Sequence, residues 1–342
     1  MTESTLSGQF SDLKAAIANY QGIGVDSTSW SATELATIER IIKKGLRQFY
    51  FPPQFEPNER PHQWSFLKPT VELTTVAPYE TGTIAITLAG TTVTLTTGVW
   101  PSWAATHGTL VVGTTEYEIA SRTSNSEIEL SSAWTEDTET AATYTLYHDG
   151  NYDLPDDFGG IEGNITYKDE VSFIGEIELV GEGRVRNARS GLTVSSLSSY
   201  PEMAAVRPKE HTTTTAGQRF EIIFYPTPND AYTFEYRKLI LPQALVDTTL
   251  TYTYGGMIHY ETIEASCLSI AEMNDDDRNK GFDGPHWKYF ISRLTASIQA
   301  DKRQLGIEKF GYNGDGSDGV DDRRRVICNG RTCHITYNGI TY

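Results

Sequence analysis

Cys328, Cys333 and His334 stand close enough in the chain to share a metal ion. A structural zinc site takes four ligands, however, and no second Cys/His pair of suitable spacing accompanies them, so a hairpin carrying two thiols is the better account. Asp275, Asp277 and Asn279 open like a calcium-binding loop. Such a loop needs glycine at its sixth position and a bidentate glutamate at its twelfth, where this chain has Lys280 and His286. The segment therefore reads as a solvated turn between helices. Gly181 and Gly183 lack the third glycine of a dinucleotide-binding turn. Arg184, Arg186 and Arg189, with Arg207 beyond them, form the one local basic cluster in the body of the chain, a candidate interface for acidic neighbours in an assembly. The nucleophile elbow Gly-x-Ser-x-Gly, the Walker loop and His-Glu-x-x-His do not occur. No two carboxylates stand in a recognisable catalytic setting, and the chain reads as non-enzymatic, without cofactor or metal.

Composition narrows the class further. A formal net charge of -17, from 45 acids against 28 bases, argues against a surface that holds nucleic acid by neutralising phosphates. An acidic ring around a channel would instead repel a duplex and let it slide. Hydrophobic residues make up 38% of the 342, below the usual ~45–50%, while Thr, Ser, Gly and Tyr are abundant, a profile of many thin strands and much surface. Cys267, Cys328 and Cys333 are too few, and odd in number, for a disulfide framework, which suits assembly in a reducing cytoplasm. No run approaches the ~20 apolar residues of a membrane span, and the N-terminal residues lack the basic and apolar regions of a secretion signal. A soluble chain with no membrane partner is expected.

The elements that would position these residues change character along the chain. Leu13, Ile17 and Tyr20 mark a short helix ending at Gly22 and Gly24. Ser31 and Glu34 make a capping box, and Leu35, Ile38, Ile41, Ile42, Leu46 and Phe49 form an apolar stripe that Pro52 and Pro53 terminate. Between residues 71 and 147 the pattern turns to period two, with strands at 83–88, 93–96, 115–119, 127–130 and 143–147, as in a small sandwich or barrel. Residues 174–189 read as a helix weakened by Gly181 and Gly183, and 219–225 with 231–236 as a hairpin around Pro226 and Pro228. Gly255 and Gly256 open a helix to Met273, and Pro285 starts the last one, with Trp287, Phe290, Ile291, Leu294 and Ile298 inward. Residues 311–319 are Gly/Asp-rich linker, and beyond them Asn329-Gly330 signals a hairpin, with a second Asn-Gly at 338–339. A short hairpin is barely stable alone, so its strands should pair on this fold or on a neighbouring subunit.

The expected fold class is therefore α+β, a small helical bundle built from N- and C-terminal helices with an inserted β-sandwich or barrel and a C-terminal strand-forming tail. The expected parts are 1–68, the N-terminal helical part; 69–150, the inserted β domain; 151–305, a hairpin and C-terminal helices; and 306–342, linker and tail.

That order of parts resembles the head-to-tail adaptor (neck or connector) proteins of tailed bacteriophages. The resemblance is carried by 35–50 with Phe51-Pro52-Pro53, by Trp100-Pro101-Ser102-Trp103 in the insert, by its exit Leu154-Pro155-Asp156-Asp157-Phe158, and by Phe224-Tyr225-Pro226-Thr227-Pro228 with Tyr236-Arg237. It covers about residues 10–305. The resemblance implies a virion protein forming a ring, usually dodecameric, under the portal protein. The implied partners are the portal, copies of itself, the next neck or tail protein, and genomic DNA in transient, unspecific passage. The segment holding Arg325, Val326, Ile327, Ile335, Tyr337, Ile340 and Tyr342 matches in position the tail that would reach along the portal or a neighbouring subunit. The rival expectation is a carbohydrate- or receptor-binding component of a phage tail or fibre, motivated by Trp100, Trp103 and Trp134 in the β domain. A particle-associated hydrolase is a third, with no carboxylate to nominate.

Overall fold

In the computed structural model the first expected helices are α1 (Phe10–Tyr20) and α2 (Ala32–Tyr50). The chain then runs through β1 (Thr70–Thr74), β2 (Ile84–Ile86), β3 (Thr92–Leu95), α3 (Ala104–His107), β4 (Gly108–Val112), β5 (Thr115–Arg122), β6 (Glu127–Leu130), β7 (Glu139–Ala142) and β8 (Thr145–His148). Next come β9 (Asn151–Asp153), β10 (Phe158–Tyr167), β11 (Glu176–Leu179), α4 (Glu182–Arg189), α5 (Val194–Leu197), β12 (Ser198–Ser199), β13 (Met203–Pro208), β14 (Phe220–Tyr225), β15 (Thr227–Pro228) and β16 (Thr233–Ile240). Helices α6 (Met257–Met273) and α7 (Pro285–Gln304) and strands β17 (Val326–Asn329), β18 (Thr332–Tyr337) and β19 (Ile340–Thr341) complete it. The structure describes residues 4, 6–53, 61–168, 176–210, 217–275, 281–304, 326–329, 332–337 and 340–341, with backbone alone for 304 and from 326 onward. The expected linker 311–319, and with it Arg325, Asp277, Asn279, the Asn338-Gly339 pair and Tyr342, lies outside the described residues. The class is α+β, with helices towards both ends of the chain and two curled sheets forming half-barrels.

Chain contacts define two units, Met1–Pro69 with Lys238–Tyr342, and Thr70–Arg237. The first is helical. The Ser31 hydroxyl accepts the Glu34 N–H while Glu34 accepts the Ser31 N–H, the capping box expected for α2. Ile38, Ile41, Ile42, Leu46 and Phe49 of its stripe are buried with Phe10, Leu13 and Ile17 of α1, Ile263 and Cys267 of α6, and Phe290 and Leu294 of α7. Helices α2 and α6 cross closely at Gly45, where an added Cβ would lie 2.6 Å from the Cys267 Cα. The Ser266 hydroxyl donates to the Gly45 carbonyl at 2.8 Å across the same crossing. In the same unit the Asp301 carboxylate, fully buried on α7, meets His62 Nε2 at 2.9 Å and accepts from the Ser65 hydroxyl at 2.5 Å. Burial alone would raise that carboxyl, but the His62 and Ser65 hydrogen bonds outweigh it and hold the group below its ordinary value.

The second unit carries two seven-stranded sheets, β7-β2-β3-β6-β5-β4-β8 and β1-β16-β10-β11-β13-β14-β9. Period-two alternation explains the first: Ile84, Ile86, Val93, Leu95, Ile128, Leu130 and Leu146 point inward while the Thr and Glu residues between them remain wetter. The second differs from expectation. The hairpin expected of 219–225 and 231–236 is not formed, because β14 pairs with β13 and β9 whereas β16 lies between β1 and β10. The helix expected over 174–189 is confined to α4, since Glu176-Ile-Glu-Leu179 alternates and is drawn into the sheet as β11 with Ile177 buried. Residues 151–237 thus complete a sheet with β1 inside the β unit. The C-terminal strands pair with one another in the order β17-β18-β19. Their register sets Asn329 against Thr332 and Cys328 against Cys333, one position off an Asn329-Gly330 loop.

Gly45→Ala gains helix propensity of about 1 kcal/mol but drives a methyl into the α6 backbone, so the net loss in denaturant unfolding is about 2 kcal/mol. His259 is 1% exposed against Phe49, Trp64 and Phe66, and neither ring nitrogen has a hydrogen-bond partner among the described residues. Burial lowers its pKa, so below the ordinary imidazole value of about 6.5 the unfolded chain binds the extra proton first and stability falls with pH. His259→Phe removes its part of that decline, seen as a flatter stability profile than the parent's from neutral to mildly acidic pH.

Candidate functional site

The chemically richest cluster in the β unit is made by strand register. Strand β4 pairs antiparallel with β8, setting Gly108 opposite His148, and the Asp149 N–H extends the ladder by donating to the His107 carbonyl at 2.8 Å. The last residue of α3 and the last of β8 are thereby brought side by side. Gly108 is needed for the tight passage from helix to strand, because a Cβ there would lie 2.4 Å from the Ala104 carbonyl oxygen. After β8 the chain turns at Gly150, whose φ of +74° suits glycine and whose missing side chain leaves room for the Arg189 guanidinium.

Side chains then converge on this turn. His107 Nδ1 lies 3.1 Å from Asp149 Oδ2, and His148 Nδ1 lies 3.3 Å from Asp149 Oδ1. Asp149 is held from behind by the Asn151 backbone N–H at 2.9 Å and the Asn151 side-chain amide at 2.7 Å. The Gly150 N–H donates to His148 Nδ1 at 3.0 Å, so that nitrogen presents a lone pair and the His148 proton sits on Nε2. The rings of His107, His148 and Tyr152 stack in sequence, with centroids 5.0 and 4.4 Å apart, and Trp103 closes edge-on to His148 at 5.2 Å. Trp103, Thr106, His107, His148, Tyr152 and Asp153 line an open cleft of about 310 Å³.

Electrostatics separates the two imidazoles. The Asp149 hydrogen bond raises the His107 pKa against an opposing burial effect. Burial pushes His148 down to about 4 against the opposing pull of the Asp149 charge, with the His107 and Arg189 charges adding to the fall, so it is neutral at physiological pH. Tyr152 is raised by burial, and its hydroxyl accepts the Val76 N–H. Two imidazoles and a carboxylate within reach of one another can transfer a proton or hold a cation; among the described residues this is the group of His, Cys, Asp and Glu side chains able to hold a metal ion.

Of the expected arginine cluster, Arg184, Arg186 and Arg207 carry surface ion pairs, Arg186 and Arg207 both beside Glu182, while Arg189 is set apart from them. Arg184 pairs with Glu178 and Arg186 with Glu182, both largely exposed, and Arg207 pairs with Glu221 at 2.6 Å. Arg189 turns inward and donates to the Phe224 carbonyl at 3.2 Å, the Asn151 side chain at 2.8 Å and the Gly150 carbonyl at 3.3 Å. It is a strut beneath the 148–151 turn. Trp100 and Trp134 are core residues, 1% and 2% exposed, leaving Trp103 at the cleft. Val326, Ile327, Ile335, Tyr337 and Ile340 fall on β17, β18 and β19. Sequence reading passed over His107, His148 and Asp149; the signal was the His-Asp-Gly-Asn turn at 148–151 directly after a period-two strand. The Ser65 hydroxyl, next to a buried Asp–His pair, donates to the carboxylate instead of to the imidazole, which is not the order that activates a nucleophile.

No protein-family model matches the chain, and no curated protein sequence matches it significantly.

Arg189→Ala leaves the Gly150 and Phe224 carbonyls without their charged donor and lowers unfolding stability by about 3 kcal/mol, whereas Arg186→Ala, at an exposed pair, changes it by less than about 0.5 kcal/mol. Thermal and denaturant unfolding of the two variants side by side checks this.

Proposed function

We propose that this chain is a structural, non-enzymatic subunit of a tailed-phage neck, the adaptor that forms a ring under the portal and joins head to tail. The observation that carries the reading is the order of parts. Helices α1 and α2 from one end of the chain share a core with α6 and α7 from the other, the β unit is inserted between them, and a strand-forming segment follows the last helix. Helices at both ends around a β insertion are what the resemblance to head-to-tail adaptors implies, although the insertion here runs to Arg237 and not to residue 150. A net charge of -17 supports a conduit past which DNA slides without being held. No described helix is long and apolar enough to cross a membrane. Strands β17 and β19 each have one neighbour in their sheet, which leaves backbone edges suited to strand addition on the portal or on the next subunit. Symmetric assembly from many copies gives such weak edges their strength. The helical unit then serves the channel, the tail tethers each subunit, and the site of action is the virion neck.

Native mass measurement tests the reading, with the purified chain alone and mixed with the portal ring of the same particle. The expected result is saturation at one copy per portal subunit, lost when the chain is ended at Gly306. A full-length chain that ignores the portal at every concentration, or that forms a trimer by itself, overturns the adaptor and favours a receptor-binding tail component.

A further inference from the structure

We propose that His107, His148 and Asp149 form a binding site for one divalent transition-metal ion of the zinc class, a property separate from portal attachment. Each residue offers one ligand atom, and these atoms all lie within 4.8 Å of one another. A tetrahedral ion with bonds of about 2.0–2.1 Å separates neighbouring ligands by about 3.3 Å. His107 Nδ1 lies 3.1 Å from Asp149 Oδ2 and His148 Nδ1 lies 3.3 Å from Oδ1, each near that spacing but on different carboxylate oxygens, so the three groups draw in from their 4.8 Å span to share one ion. Two imidazoles with one carboxylate favour zinc, cobalt or nickel over calcium and magnesium, which take all-oxygen sets.

A local conflict points the same way. His148 Nδ1 accepts the Gly150 N–H, so it carries no proton for Asp149 Oδ1, and these two electron-rich atoms sit 3.3 Å apart without a hydrogen bond between them. A cation between them turns that repulsion into two bonds. His107 releases its Nδ1 proton to solvent on ligation, and the Gly150 N–H gives up its acceptor. Outer partners are in place as metal centres require: Asn151 orients Asp149 through two hydrogen bonds, and Arg189 fixes Asn151 and Gly150 in turn. His107 and His148 also line the open cleft beside Trp103 and Asp153, from which water would fill the remaining coordination positions. Such an ion ties the end of α3 to the β8–β9 turn, a clip inside the β unit.

The full-length chain, stripped with chelator and carrying Cys328→Ser, Cys333→Ser and His334→Gln to remove competing tail ligands, is titrated with Zn²⁺ by calorimetry and with Co²⁺ by visible absorption. The expected result is one equivalent bound, a Co²⁺ spectrum without thiolate charge-transfer bands, and a higher thermal midpoint with Zn²⁺. His107→Gln and His148→Gln each weaken binding about a hundredfold and abolish the thermal shift. Asp149→Asn, which keeps an oxygen for Asn151, serves the same purpose if either histidine variant fails to fold. Absence of a stoichiometric site in the tail-substituted chain, or binding untouched by these substitutions, overturns the proposal.

Discussion

The crossing of α2 over α6 at Gly45 and Cys267 is the contact on which the molecule depends. It joins residues 222 positions apart at backbone distance, with no side chain between them. Closing so long a loop costs chain entropy, but the cost grows only with the logarithm of loop length, so a dense helical interface offsets it. Once the ends are joined, residues 70–237 become an insertion that must fold on cores of its own, and they do, around Trp100, Trp134 and Leu146 in one sheet and Phe224 and Phe234 in the other. The buried Asp301 adds a second bond between the chain ends, through His62 and Ser65 to α7.

The cluster at residues 107 and 148–151 is a product of pairing register. A slip of one residue between β4 and β8 would part His107 from Asp149 and turn Leu110 and Leu146 away from their core. The hydrophobic core of the insert therefore enforces the geometry of its polar site. Arg189 links that turn to β14 through the Phe224 carbonyl, so the cluster is braced by both sheets of the β unit. The proposed adaptor role and the proposed metal clip are compatible in one subunit, since an ion bound there would stiffen a thin, Thr-rich β module.

Much of the fold was legible because local physics and tertiary packing agree there. Capping at Ser31, the stripe from Ile38 to Phe49, the glycines before α6 and Pro285 at the start of α7 each mark an element that isolated helix chemistry already favours. Strands β3, β5 and β6 were equally visible from alternation. The failures lie where pairing is long-range. Phe220–Tyr225 and Thr233–Ile240 each look like half of a hairpin, yet their partners are Met203–Pro208 on one side and Thr70–Thr74 on the other. Glu176–Leu179 reads as part of a helix over 174–189, yet its period-two alternation lets the sheet take it as a strand.

The sequence by itself determined the class of the fold, the helices towards each end, the strand-rich middle and the acidic net charge, because periodicity, capping and charge are written residue by residue. Tertiary structure alone decided which strands are neighbours, why Arg189 points inward while Arg184 and Arg186 stay at the surface, and that His107 meets His148 and Asp149. Those outcomes hang on the register and order of strands far apart in the chain, and an imidazole's neighbours across a sheet leave no trace in its own local sequence.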